Sequence, residues 1–217
     1  MNLIIGNTFT KAYGNDPSID VNATAEIYDC LSYVVPNHEL IAKKMHEKDP
    51  EHYDGTWDGV KSFYNRRNGL FLTGFLDKVT DRLMNRGLPF MLTDRRSKPH
   101  VAPEGGNYDL EGIELRDYQT RARKDFLSHK ICGLSMPRGV IHAATGAGKT
   151  EIAASVIRGL NVPTMFMTHR THLLRQTAAR FAKRMPELSQ RIGIVGDSDY
   201  SPNFITCATE GITWNNY

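Results

Sequence analysis

Cysteine is scarce in this sequence, and no apolar run is long enough to cross a bilayer. The three cysteines, Cys30, Cys132 and Cys207, are isolated and odd in number, so neither a disulfide framework nor a zinc site is indicated. A reducing, cytoplasmic compartment fits this pattern best. The first residues, Met1–Gly6, resemble no secretory leader, because a basic start and a cleavage site are both lacking. We therefore expect no membrane partner.

Charge is distributed unevenly along the chain, although the net value is only +3. Residues 1–58 contain 4 Lys/Arg and 10 Asp/Glu, whereas residues 59–100 contain 9 and 3, and residues 111–217 contain 14 and 9. A basic segment beside an acidic one is typical of proteins that bind polyanions, with nucleic acid the common case. An ordinary solvated surface explains the charges equally well.

A polar segment at residues 95–110 divides the chain. It includes two prolines and two glycines, which is typical of a linker. Residues 1–94 are therefore predicted to form a small α+β domain, and residues 111–217 a second domain. In the second domain strands and helices alternate, which favours a parallel sheet covered by helices.

Apolar periodicity and turn residues predict the individual elements. In the first domain the predictions are a strand over Leu3–Thr10, a helix over Ala23–Val34, a hairpin turning at Asn65–Gly69, a helix from Leu76 to about Gly87 and a strand over Pro89–Leu92. In the second they are helices over Tyr118–His129, Glu151–Leu160 and Thr171–Met185, and strands over Thr164–Met167, Ile192–Val195 and Phe204–Cys207.

The most specific motif is the segment Val140–Thr150, with the sequence VIHAATGAGKT. A short apolar run precedes a small-residue loop, then Lys-Thr and a helix, which is the strand–loop–helix order of a phosphate-binding loop. Small residues let backbone N–H groups surround phosphate oxygens, and the helix N-terminus adds positive charge. We expect Lys149 to contact the β/γ-phosphates of ATP and the Thr150 hydroxyl to bind Mg²⁺. The predicted nucleotide-binding residues of the loop are Thr145, Gly146, Ala147, Gly148, Lys149 and Thr150. The alternative is an ordinary small-residue turn between a strand and a helix.

Polar residues on either side of the loop suggest further contacts. Gln119 can hydrogen-bond adenine through its amide, and the neighbouring Tyr118 can support the base. An exposed helix start is the alternative there. Thr168, Arg170 and Thr209 follow or end predicted strands, where a hydroxyl or guanidinium group suits a nucleic-acid phosphate.

In this order the motifs resemble the first motor lobe of the superfamily 2 helicases and translocases, over about residues 112–212. The resemblance implies an incomplete RecA-like P-loop lobe, ATP and Mg²⁺ as cofactors, and ATP-dependent work on DNA. Alanine at position 143 is common at the first position of that superfamily's motif I. The matching residues are Tyr118 and Gln119 for the Q motif, Ala143–Thr150 for motif I, Thr168 and Arg170 for motif Ia, and Thr209 for the motif Ib/Ic region.

The N-terminal half is similar to the small domain that precedes the motor in UvsW-type phage recombination helicases. The similarity lies in the order of a helix, Gly55–Gly59, a hairpin with Tyr64–Arg66, a helix, a strand and a linker. It implies remodelling of branched DNA and R-loops, recombination and repair, in a phage-infected bacterial cell. The hairpin region could then grip or wedge a duplex; alternatively its aromatic residues pack on the neighbouring helix. The predicted DNA contacts of this domain are Trp57, Lys61, Arg66 and Arg67.

Apart from the phosphate-binding loop, the sequence contains few of the residues that ATP hydrolysis requires. In the resembled family a DExH/DExD motif follows the strand that ends at Thr209, and a second lobe supplies an arginine. The similar string Asp49–His52 comes too early and is interpreted as a loop. We therefore expect negligible hydrolysis by this polypeptide alone, and the rest of the motor, with its second RecA-like lobe, in cis or in trans. Two alternatives stay open: the motor of a restriction-type DNA translocase, and a non-enzymatic protein that binds nucleic acid.

Overall fold

The computed structural model describes residues 1–14, 17–97 and 106–209. They fall into two compact units. The first comprises Met1–Ser97 with Lys130–Ser135, and the second comprises Lys98–His129 with Met136–Tyr217. The middle of the predicted linker, residues 98–105, lies outside the described residues, and the domain bounds at 94 and 111 stay a prediction. Among the described residues, no helix is both long enough and apolar enough to cross a membrane.

The first unit is an α+β assembly around a five-stranded sheet. The sheet order is β5-β6-β2-β1-β7, in which β1 and β7 are parallel and the other neighbours are antiparallel. A separate antiparallel pair joins β3 and β4. The elements are β1 (Asn2–Ile5), β2 (Phe9–Tyr13), α1 (Pro17–Cys30), β3 (Ser32–Val34), α2 (His38–Lys48), β4 (Val60–Ser62), β5 (Tyr64–Asn65), β6 (Leu70–Leu72), α3 (Leu76–Asn85) and β7 (Met91–Asp94).

The core of this unit follows from the two periodicities of its sequence. In β1, Leu3 and Ile5 lie two residues apart and are fully buried, because alternate side chains of a strand share a face. In α3, Leu76, Val79 and Leu83 have helical spacing and are also fully buried. The same spacing places buried Ala23 and Ile27 of α1 on one helix face.

Two predictions for this unit, a hairpin and a strand, have different outcomes, and one helix was not predicted. The hairpin at Asn65–Gly69 is confirmed, as β5 pairs with β6. Gly69 is required there, because its φ is +71° and a Cβ would lie 2.2 Å from the Ala12 carbonyl oxygen. The single strand predicted over Leu3–Thr10 is wrong: the chain turns after β1, where the Gly6 amide bonds to the Phe9 carbonyl, and returns as β2. Helix α2 was not predicted, since Ala42 is its one buried residue and its pattern is weak.

The second unit contains a four-stranded sheet with helices packed on it. The strand order is β10-β13-β11-β12, with β10, β13 and β11 parallel and β12 antiparallel to β11. The predicted α/β class with a parallel sheet is confirmed. In the sequence, a hairpin of β8 (Lys130–Ile131) and β9 (Leu134–Ser135) lies between the first two helices of this part of the chain. The hairpin belongs to the first unit. The other elements are α4 (Asp117–Ser128), α5 (Lys149–Leu160), β10 (Thr164–Thr168), α6 (Thr171–Arg184), β11 (Ile192–Gly196), β12 (Asp199–Ser201) and β13 (Ile205–Thr209).

The core of the second unit lies between β13 and the helices. Every residue of β13 is buried, as expected of a central parallel strand. Ile157 of α5 and Leu174 and Phe181 of α6 belong to the same apolar cluster as Cys207. Burial in this cluster raises the pKa of the Cys207 thiol to about 11.

The strand predicted directly before the phosphate-binding loop is wrong. Among the described residues, those from 136 to 144 pair with no strand, and the Val140 side chain is 95% exposed. An extended segment becomes a strand only when a neighbour completes its hydrogen-bond ladder. This segment does not pair with β10, the edge strand of the sheet. The loop is therefore positioned by α4 and α5.

Candidate nucleotide-binding site

The backbone of the predicted phosphate loop leaves several amide groups free. Gly146 and Gly148 adopt φ values of +81° and +76°, which other residues adopt only with strain. Of the loop amides, Ala147 donates to the Ala144 carbonyl at 3.2 Å. Within the described part of the chain, the N–H groups of Gly146, Gly148, Lys149 and Thr150 donate to no acceptor. Such amides at a helix N-terminus are suited to bind an anion.

Lys149 lies across the loop. Its ammonium group donates to the carbonyl oxygens of Ala143 and Ala144, at 2.8 and 2.9 Å. The side chain is exposed, so phosphate oxygens can reach it by replacing carbonyl partners. Thr150 lies in the first turn of α5, half-buried, and Thr145 is exposed in the loop. These positions fit the phosphate and Mg²⁺ ligands predicted from the sequence.

Tyr118 and Gln119 contact the loop directly. The Tyr118 hydroxyl and the Gln119 side-chain amide both donate to the Ala147 carbonyl oxygen, at 2.9 and 2.8 Å. Gln119 also accepts from the Arg116 backbone N–H at 2.9 Å, which caps the start of α4. A Cβ at Gly148 would lie 2.3 Å from the Gln119 amide nitrogen. The two motifs predicted separately are therefore in contact with each other.

An ion-pair network joins the loop helix to α6. The carboxylate of Glu151, directly after Thr150, lies 3.2 Å from the Arg184 guanidinium and 3.8 Å from that of Arg180. Glu151 is 8% exposed, so its partners are required to compensate for burial of the charge. Arg184 also donates to the Glu111 carbonyl at 2.8 Å. This network was not predicted from the sequence, where its only signal is an acidic residue after the loop and basic residues near the end of a helix.

The predicted DNA contacts of the second unit lie at the carboxyl end of the sheet. Thr168 and Thr209 are register partners at the ends of the parallel strands β10 and β13. The Thr168 hydroxyl donates to the Arg170 carbonyl at 3.3 Å, and Arg170 is exposed immediately before α6. Thr209 is 9% exposed. Its hydroxyl oxygen packs against Gly196, 2.6 Å from the position that a Cβ would occupy at that glycine. Arg170 is thus the most accessible of the three.

In the first unit, the residues predicted to contact DNA differ in how they are held. Arg66 and Arg67 are both exposed, but the Arg66 guanidinium also lies 3.6 Å from the centroid of the Tyr28 ring. Lys61 is exposed and its ammonium lies 5.8 Å from the Trp57 ring. The two hairpin aromatics differ in exposure: Tyr64 is buried, whereas Phe63 is 47% exposed. Phe63 lies against Tyr33 and Phe75, with ring centroids 5.6 and 5.0 Å apart.

Comparisons with known proteins concern the second unit most directly. Residues 112–209 match the family model described as "Type III restriction enzyme, res subunit". Over 97 residues the chain is 36% identical to the DNA 3'-5' translocase XPB2 of Sulfurisphaera tokodaii. That match covers 45% of this chain and 20% of the translocase. The chain therefore spans about a fifth of the length of this curated relative.

Two solved structures of UvsW from bacteriophage T4 resemble the fold. The first, of the UvsW helicase, matches with a TM-score of 0.64 at 16% identity, and the match covers 96% of this chain and 75% of that one. The other has a TM-score of 0.67 at 14% identity, with coverages of 100% and 44%. At these identities the likeness concerns the fold. Together with the family match over residues 112–209 and the similarity to the XPB2 translocase, it supports the resemblance of this chain to a fragment of a superfamily 2 helicase.

Proposed function

We propose that the chain binds ATP with Mg²⁺ at the loop Ala143–Thr150 and works as the ATP-binding part of a DNA motor. The observation that carries this proposal is the loop itself, whose free amides at the start of α5 lie beside the Lys149 ammonium group. Lys149 would hold the β/γ-phosphates and the Thr150 hydroxyl would hold Mg²⁺. The metal, when bound, neutralises charge on the phosphates.

The nucleotide base would lie near Tyr118 and Gln119. The Gln119 amide has a second N–H, and its oxygen has a second lone pair, so adenine can be bound while the contacts to Ala147 and Arg116 persist. The aromatic ring of Tyr118 is 41% exposed and is available to the base. Adenine recognition and the geometry of the phosphate loop are thereby linked through one side chain.

DNA would contact each unit through cationic and hydroxyl groups. In the second unit the candidates are Thr168, Arg170 and Thr209 at the carboxyl ends of parallel strands, where α/β proteins commonly bind ligands. Arg170 directly precedes α6, whose N-terminus also favours phosphate. In the first unit the candidates are Trp57, Lys61, Arg66 and Arg67, in the basic part of the sequence.

The preferred DNA substrate is proposed to be branched DNA, including forks and R-loops. The resemblance in fold to the T4 UvsW helicase supports this choice, whereas the family model, described as a subunit of a type III restriction enzyme, supports the alternative of a restriction-type DNA translocase. Binding of fork, Holliday junction, R-loop and plain duplex by the 217-residue protein separates the two. Tighter binding of the branched forms supports remodelling, and equal binding supports translocation.

Turnover by this polypeptide alone is proposed to be negligible. Hydrolysis requires a carboxylate that holds Mg²⁺ and a group that positions water, and the carboxylate of Glu151 beside the loop is already paired with Arg184 and Arg180. The remainder of the motor, including a second RecA-like lobe, would supply these groups in cis or in trans. A phosphate-release assay with forked DNA tests this; turnover at the rate of a complete helicase contradicts it. Binding of DNA without any nucleotide binding would instead support a non-enzymatic role.

Replacing Lys149 tests whether the loop binds the phosphates of ATP. Lys149→Ala removes the charged donor over the loop, so we expect ATP affinity to fall at least tenfold, since a charged hydrogen bond contributes about 1.5–3 kcal/mol. Calorimetric titration with MgATP measures the effect. Lys183→Ala, an exposed lysine at the end of α6, is the matched control. Equal ATP affinity of Lys149→Ala and the unaltered protein refutes the nucleotide site.

A further inference from the structure

A cavity of about 670 Å³ lies in the first unit. It is open to solvent on one side and is lined by α2, the loop at residues 49–59 and the start of β4. Its volume is in the range of sites that take small ligands. Ile41 and Met45 provide apolar walls, Tyr53 and Trp57 provide aromatic rings, and Asp54 and Lys61 provide charge of both signs.

The loop that forms one wall is held in place by its own hydrogen bonds. The Tyr53 amide donates to the Asp49 carbonyl at 3.1 Å, and the Tyr53 carbonyl is bonded to the His46 ring. The Thr56 amide donates to the Asp54 carboxylate at 2.8 Å. Hydrogen bonds from Thr56 hold the pKa of Asp54 below its usual range, so this wall carries an ionised acceptor. A preformed wall reduces the entropic cost of binding.

Trp57 is the central residue of this region. Besides the first cavity it lines a neighbouring one of about 690 Å³, to which Lys43 also contributes. The ring is half-buried and meets the edge of His38 at a centroid distance of 6.3 Å. Within the described residues, its indole N–H has no hydrogen-bond partner. An accessible indole that borders cavities lined by Lys61 and Lys43 can offer a stacking surface next to phosphate-binding groups.

We propose that this cavity binds one unpaired nucleobase of DNA, stacked on Trp57, with the adjoining phosphate at Lys61 or Lys43. The proposal rests on the DNA binding proposed above and names the feature of the DNA that the first unit recognises. A base suits the chemistry better than a bare phosphate, because Glu51 and Asp54 at the wall repel anions but accept hydrogen bonds from exocyclic amino groups. Adenine, cytosine and guanine carry such groups and thymine does not, so thymine is the weakest ligand.

The test compares two DNA duplexes that differ only in a single unpaired adenine. The unaltered protein is expected to bind the duplex with the unpaired base more tightly. Trp57→Leu should lose about tenfold in affinity for it, since stacking of one base contributes on this scale, and should lose clearly less in affinity for the plain duplex. Trp57→Phe keeps an aromatic face and should retain most of the affinity. Tyr33→Leu is the control, an exposed aromatic of the same unit that does not line the cavity.

Fluorescence provides a measurement that does not depend on the stability of a Trp57 variant. The sequence has two tryptophans, and Trp214→Phe leaves Trp57 as the only one. Stacking of the unpaired base should quench its emission, and the same duplex with an unpaired thymine should quench it less. Quenching by the plain duplex to the same extent overturns the proposal.

The outcomes separate this proposal from the proposed function. If the protein binds both duplexes equally and Trp57→Leu changes neither affinity, the base site is refuted and DNA binding stands. If Trp57→Leu weakens both equally, Trp57 grips the duplex and the base site is again refuted. If neither duplex binds, DNA binding by the first unit fails and the base site fails with it.

Discussion

The side-chain amide of Gln119 donates to the carbonyl oxygen of Ala147 across 2.8 Å, so a residue predicted to read adenine also supports the phosphate loop. Gln119 is 6% exposed and is fixed at the start of α4 by the Arg116 amide. A change at this position therefore affects the loop as well as the base.

Gln119→Ala is expected to lower affinity for ATP and for tripolyphosphate together. Loss of one hydrogen bond costs about 0.5–1.5 kcal/mol, which corresponds to roughly a threefold to tenfold fall in affinity. Calorimetry with ATP, GTP and tripolyphosphate measures it. Gln176→Ala, on an exposed position of α6, is the control. If affinity for ATP falls while affinity for tripolyphosphate is unchanged, Gln119 contributes to recognition of the base alone.

Substitution of the two loop glycines separates backbone strain from crowding. Gly148→Ala places a Cβ 2.3 Å from Gln119 and forces a φ of +76° on alanine, whereas Gly146→Ala has a φ of +81° but no atom within 4 Å. Strain of this kind is about 1–3 kcal/mol. We expect both variants to melt at lower temperature and Gly148→Ala to lose more nucleotide affinity. Equal losses of nucleotide affinity in Gly148→Ala and Gly146→Ala would mean that crowding against Gln119 does not affect nucleotide binding.

Arg67 and Arg66 should affect DNA binding in different ways. Arg67→Ala removes an exposed cation, so the slope of log affinity against log salt should fall by about one with thermal stability unchanged. Arg66→Ala should also cost about 0.5–1 kcal/mol of stability, because the stacking on Tyr28 is lost. Arg191→Ala, which removes a similar stacking on Phe204 in the second unit, is the control for stability. An unchanged salt slope in Arg67→Ala argues that the hairpin serves packing only.

The cysteines should differ in reactivity as pH rises. Burial raises the pKa of Cys207 from the ordinary value of 9.0 to about 11, so its thiol stays protonated at mildly alkaline pH, while Cys132 is exposed. Alkylation followed by mass spectrometry should find Cys132 modified first and Cys207 last. Because the folded protein favours the protonated Cys207, stability should fall as pH rises from 9.0 towards 11. Early modification of Cys207 in the folded protein would contradict its burial.

Much of the fold was predictable where the determinants are local. The helix from Lys149 and the turn at Gly69 depend on residues adjacent in sequence, so the pattern predicted them. The strand before the loop depends on a neighbouring strand, and sequence periodicity does not reveal whether that neighbour pairs with it. Helix α2 has too narrow an apolar face to be detected.

The site was predictable to a similar degree. The loop and the Tyr118–Gln119 pair were identified from motifs, because their chemistry constrains residue types at fixed spacing. The contact of Gln119 with Ala147 and the pairing of Glu151 with Arg184 join residues 28 and 33 positions apart. Such pairings depend on how α4, α5 and α6 pack, which a single sequence does not encode in any short pattern.

Strand β10 forms one margin of the second unit's sheet and pairs, among the described residues, on one side only. Met165 and Met167 project from it half exposed, and neither proline nor a charged side chain interrupts Thr164–Thr168. An unpaired ladder of this kind is a template for any extended peptide. We therefore expect the solubility limit of the protein to be governed by these five residues, and self-association to grow with concentration even though the molecule carries a net charge of +3.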